Sequence, residues 1–265
     1  MNTSVTPRTI KPSLQIWVAG LLVACLALSG CSSIAQQSGA NAPAVSPELE
    51  AQVLQIIRQN PEVLLESVET YRTQQQEATR KARQDFLKQL IEKPAQAIGD
   101  SPFTGSPQKK ILLIEFSDFQ CPYCAKAHET VKAFMAKHKA EVTMVYKHLP
   151  LTSIHPQAMP AAKAAWAAGV QGKFWEYHAK LFENQEQLGE QTYESIAKDL
   201  KLDLSKFNTD RASGAAQTAI DRDLELTKQL GLTGTPVFFL NQEVLTGAVE
   251  LDELESALEK VTQGQ

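Results

Sequence analysis

Cys121 and Cys124, separated only by Pro122 and Tyr123, stand between an apolar run and a helix-like stretch, and that order constrains this chain more than any other feature. The run from Ile111 to Phe116 reads as a buried strand, and Pro122 to Lys139 reads as a helix. Strand, CxxC and helix in that sequence put Cys121 at a helix N-terminus. There the unpaired backbone N–H groups and the positive end of the helix dipole favour a thiolate. A reactive thiolate beside a second thiol is a redox couple. Half of a zinc site is the weaker reading, because no second CxxC and no histidine pair supplies the remaining ligands.

The chain has four cysteines, and the other two are Cys25 and Cys31. Residues 1–12 carry Arg8 and Lys11 and no acid, Ile16 to Leu28 is apolar, and Leu28, Ser29, Gly30 and Cys31 follow. Thirteen apolar residues are few for a bilayer span, and the basic, apolar, small-residue order is that of an export signal. The last four residues resemble a bacterial lipobox, which implies cleavage before Cys31 and lipid attachment to it; an uncleaved anchor is the alternative. Both place the protein outside the cytoplasm, held at a membrane by several acyl chains in the first case. By resemblance to sorting rules, Ser32 favours the outer membrane where two exist. The catalytic pair is then the only internal disulfide open to the mature chain, so folding rests on an apolar core.

The formal net charge is −4, and it becomes −6 without residues 1–30, which excludes a basic surface for nucleic acid. Residues 31–46 are small and polar and read as a flexible tether. Two helices are expected at 47–59 and 61–92, within an extension over 47–93. Leu49, Val53, Ile56, Ile57, Leu64, Leu65, Val68 and Tyr71 fall at helical spacing, followed by a polar shaft from Arg72 to Asp85. An oligomerisation stalk through 47–92 and a helical arm or spacer both fit that pattern.

Residues 94–265 read as one α/β domain. A second strand is expected at Val142 to His148, helices over about 155–230, a hairpin from Pro236 to Leu245, and a closing helix from Leu251. This is the order of a thioredoxin fold with an inserted helical domain, preceded here by the α-helical N-terminal extension. Five segments carry a closer likeness: Glu115 to Cys124, Lys147 to Leu151, His155 to Ala158, Gly172 to Trp175 and Gly231 to Phe239. Together they resemble the DsbA-like thiol–disulfide oxidoreductases of the thioredoxin superfamily. Glutaredoxins share the Cys-Pro-Tyr-Cys motif, yet here Pro236 stands 112 positions after Cys124, too far for them.

The chemistry expected of these residues makes Cys121 the exposed nucleophile and Cys124 the buried resolving thiol. The resemblance implies that Glu115 is the buried acid that moves the proton of Cys124, and that Thr235 and Pro236 form a cis bond facing the CxxC. Strand alternation alone leaves an edge-exposed Glu115 open, and Lys147 is either its partner or a solvated strand end. Pro122, Tyr123 and Thr235 are candidate substrate contacts. With no histidine between the cysteines, the couple should be less oxidising than one that has it. His128 reads as a surface or groove histidine and His178 as part of a core helix. No cofactor and no metal are expected. The partners expected are exported protein thiols or disulfides, a membrane redox partner, and the membrane itself through lipidated Cys31. Disulfide formation is the favoured activity. A reduced isomerase or reductase, and a non-catalytic lipid-anchored holdase or metal-handling protein, are the alternatives.

Overall fold

The computed structural model describes residues 46–263. The expected signal sequence, Cys31 and nearly all of the tether lie outside the described residues. The described residues divide into two units, one ending at residue 56 and the other beginning at residue 57.

Helix α1 spans Pro47–Gln59, with Glu48 and Glu50 in its first turn and Arg58 in its last, as the helix dipole favours. In the first unit Leu49, Val53 and Leu54 are exposed. The second unit takes in α2, Pro61–Glu92, which starts on a proline whose missing N–H costs nothing at that position. Its first turns expose Val63, Leu64, Leu65, Val68 and Tyr71. Its last turns bury Phe86 and Leu90. Phe86 meets Phe239 edge-on at 5.2 Å, and Arg83 donates to the carbonyls of Leu230 and Gly231.

Five strands form one sheet: β1 (Phe103–Gly105), β2 (Ile111–Ser117), β3 (Val142–His148), β4 (Val237–Leu240) and β5 (Glu243–Thr246). Their order is β1-β3-β2-β4-β5, with β2 and β3 parallel and the other pairs antiparallel. Strand β1 and the short helix α3, Pro94–Ile98, were not anticipated. Elements of three and five residues are too short to show a period, and β1 exists by pairing Phe103 with Val145. At the hairpin turn Asn241 adopts φ 45°, a conformation asparagine tolerates. Its amide takes the N–H of Leu112 and donates to Lys110, which stitches the hairpin to β2.

Leu112, Ile114, Phe116, Val145 and Phe239 face Phe86, Leu90, Ile98 and Leu230. Leu113, Met144, Phe238 and Leu240 face α4 (Pro122–His138) and α10 (Leu251–Gln263). The insertion supplies α5 (Ala158–Val170), α6 (Phe174–Glu183), α7 (Glu190–Asp199), α8 (Leu204–Arg211) and α9 (Gly214–Gln229). Helix α5 buries seven alanines, side chains small enough for neighbouring helices to approach closely.

Lys147 corrects both readings made of it. The parallel register sets it opposite Phe116, on the sheet face away from Glu115. It is 5% exposed, donates to Ser101 at 2.8 Å and lies 3.4 Å from Asp223, whose other oxygen takes the N–H of His148 at 2.9 Å. Removing one member of a buried pair strands the other's charge. Asp223→Ala should therefore cost about 3 kcal/mol in urea unfolding, while replacing both Lys147 and Asp223 by apolar residues should cost much less.

Candidate active site

Strand β2 is buried along its whole length and ends in a corner, Asp118 to Gln120, that turns the chain into α4. Cys121 caps that helix in extended conformation, with Pro122 in the first turn. The N–H groups of Cys124 and Ala125 both donate to the Cys121 carbonyl. The two thiols are unbridged. Cys124 is fully buried and Cys121 is only 4% exposed, so the expected exposed nucleophile shows little more than an edge of its sulfur. Tyr123 is 63% exposed beside it.

Burial makes the sulfurs unequal. The Cys121 thiol is lowered to about 5, first by a hydrogen bond from Cys124, against the opposing effect of its own burial. Thr235 and the N–H groups of Cys124 and Tyr123 add to the lowering. The helix terminus thus contributes, but the partner thiol contributes more. Cys124 is raised well above its ordinary range, by burial first and then by the neighbouring Cys121 sulfur. The N–H of Asp118 points at the Cys124 sulfur at 3.5 Å.

Across from the cysteines, the Thr235–Pro236 bond is cis, and the carbonyl of Thr235 lies 3.5 Å from the Cys121 sulfur. Glu115 is 1% exposed, which excludes the edge position. Its register neighbours are Tyr146 and Phe238. Burial raises its carboxyl to about 7, with a smaller lowering from Ser117. Tyr146 sits among Glu115, Cys124 and Asp118, whose charges add to burial in raising its phenol. Glu115 and Cys124 therefore both act on Tyr146 within the desolvated core. His128 is buried rather than on the surface, its ring 5.1 Å from that of buried His178.

Several residues of the corner escaped the sequence reading. The Asp118 side chain has no exposure and accepts hydrogen bonds from the N–H of Gln120, the N–H of Leu151 and the ring of His155, tying the corner to the loop after β3. Gln120 accepts from the N–H of Gln157, and Gln185 donates to the carbonyls of Phe119 and Cys121. Gln185 lies in a run of polar residues where nothing marks it out.

Two pH dependences follow from the unequal groups. Alkylation of the reduced protein should rise with a midpoint near pH 5 at Cys121, while Cys124 stays unreactive to well above neutral pH, as mass analysis of the labelled peptide would show. Because the folded pKa of Cys121 lies below its unfolded value of about 9, its thiolate stabilises the reduced fold fully above that value; the gain declines as pH falls and is gone once pH drops through about 5. Glu115 has the opposite sign. Its raised pKa favours the fold below about 4.5, and that advantage is lost as pH rises through about 7. Glu115→Gln should raise the thermal midpoint at pH 8, leave it unchanged near pH 4, and slow the resolution by Cys124 of mixed disulfides formed at Cys121.

Residues 96–260 match the family model described as Thioredoxin, more than half of the chain. The Na(+)/H(+) antiporter NhaA 3 of Salinispora tropica is 34% identical over 154 residues, 58% of this chain and 24% of that protein; the chain spans about a quarter of the length of the curated relatives it matches. A thioredoxin-like oxidoreductase from Silicibacter pomeroyi is 28% identical with a TM-score of 0.58, over 62% of this chain and 94% of that one. The thiol-disulfide exchange protein alpha-DsbA2 from Wolbachia pipientis shares the fold at 20% identity and a TM-score of 0.59, over 73% and 98% of the two chains. A cysteine pair of unequal acidity beside a cis-proline, on that fold and with a family match over more than half of the sequence, identifies the family: the chain belongs to the thioredoxin family.

Proposed function

We propose that the protein forms disulfides in exported proteins, working outside the cytoplasm from a lipid anchor at Cys31, on the outer membrane where the host has two. The observation that carries the reading is the stabilised thiolate of Cys121. A couple that favours its own reduced form gives up its disulfide readily. A substrate thiolate attacks the Cys121 sulfur of the oxidised pair, the bond to Cys124 breaks, and Cys124 leaves as a thiolate. Glu115, with a carboxyl that exchanges its proton near neutral pH, supplies the proton that Cys124 takes up. The second substrate thiolate then attacks the substrate sulfur of the mixed disulfide, forming the substrate's S–S bond and expelling Cys121. Two electrons have passed to the enzyme pair, and a quinone-linked membrane partner removes them. The free backbone of Thr235 would align the substrate strand, with Pro122 and exposed Tyr123 bordering it.

A second reading rests on a different observation. Leu49, Val53 and Leu54 in α1, and Leu64, Leu65 and Val68 in α2, are large apolar side chains left in solvent. Association of copies through 47–92 would cover them and set several catalytic domains around one substrate, an arrangement suited to isomerisation or reduction by a pair kept reduced.

The resting state of Cys121 and Cys124 in the native host, fixed by acid quenching and read by alkylation, separates the two. A pair found mostly as disulfide is the expected result. A mostly reduced pair, with a molecular mass above that of one chain in light scattering, would replace disulfide formation with the second reading.

A further inference from the structure

The helical insertion meets the redox corner through apolar and polar contacts. Phe182, at the end of α6, packs against Phe119 at 5.2 Å between ring centres. One polar contact reaches the backbone of the CxxC itself through a side-chain amide. Gln185, two residues beyond α6, directs Nε2 at the carbonyl of Phe119 at 2.8 Å and at that of Cys121 at 3.0 Å. Both partners are carbonyl oxygens, which accept only, so the amide orientation follows from chemistry. The Cys121 carbonyl already takes the N–H groups of Cys124 and Ala125, and Gln185 is a third donor on the same oxygen, arriving from outside the helix.

We propose that Gln185 is a positioning residue for the redox couple, through which the helical insertion favours the reduced form of the Cys121–Cys124 pair. The proposal deepens the functional reading above and rests on it. The amide places one partly positive hydrogen against the carbonyl of the residue that becomes negative on reduction and the other against the carbonyl of Phe119, two residues before it. That favours the thiolate over the neutral disulfide. It also fixes the corner, because the carbonyls of Phe119 and Cys121 bracket Gln120, whose side chain is held by the N–H of Gln157. Without Gln185 the Cys121 carbonyl keeps its two helical donors, so the helix persists while the corner gains freedom.

The test uses the full chain in detergent, equilibrated in glutathione buffers of graded ratio, with the Cys121 thiolate followed in parallel by its ultraviolet absorbance against pH. In Gln185→Ala the equilibrium constant for reduction of the pair by glutathione should fall by about three- to tenfold, the size of one or two modest hydrogen bonds. The thiolate titration should move to higher pH in step. Gln185→Glu keeps the length and packing of the side chain but sets a carboxylate against two carbonyl oxygens, and it should move both readings further in the same direction. If both variants keep the wild-type equilibrium and titration and lower only the melting temperature, Gln185 merely holds the fold and the proposal is overturned. Failure of the functional reading would be seen separately, as a wild-type chain that exchanges with no protein thiol, since these titrations read the cysteine pair alone.

Discussion

Everything at the active site depends on β2 being covered on both faces. A strand buried at all seven positions offers no water to any polar group it carries. Glu115 therefore cannot ionise cheaply, and at the C-terminal end of the strand burial holds the Cys124 thiol up while the hydrogen bond from Cys124 brings Cys121 down. In a solvated strand the CxxC would keep its helix terminus but would lose the acid held near neutrality.

Burial of this kind is tolerable only when nearly every polar atom finds a partner. Asp118 accepts three hydrogen bonds, and Lys147 and Asp223 satisfy each other together with Ser101 and the N–H of His148. Around the cysteines that rule is relaxed. Glu115, Ser117, Tyr146 and Thr235 each keep a buried oxygen with no complete hydrogen bond. Each of these oxygens carries the cost of burial without a full hydrogen bond to offset it.

The insertion is more than a lid on this arrangement. Its Phe182 and His178 wall the site against Phe119 of the corner, which stacks on Tyr146 of β3. Burial drives His178 and His148 far below the usual histidine range, so both stay neutral and add no cation to the site at physiological pH. The thiolate is thus held by hydrogen bonds and peptide dipoles, with no histidine charge beside it.

Patterns local in the chain were legible in advance. The strands at Ile111 and Val142, the long α2, the hairpin near Asn241 and the place of Cys121 at a helix N-terminus all follow from periodicity and from the strand–CxxC–helix order. The burial of Glu115 and the cis bond before Pro236 came from family resemblance. Which partner Lys147 takes, how little of Cys121 is exposed, and the hold of Asp118 and Gln185 on the corner were decided only by the tertiary structure. The physical reason is sequence distance. Lys147 and Asp223 are 76 residues apart, and Gln185 reaches Cys121 across 64, so each contact exists only after the sheet and the insertion have packed. A sequence determines which groups can form a thiolate, and the packed structure determines how much that thiolate is favoured, because desolvation and aligned donors arise only on folding.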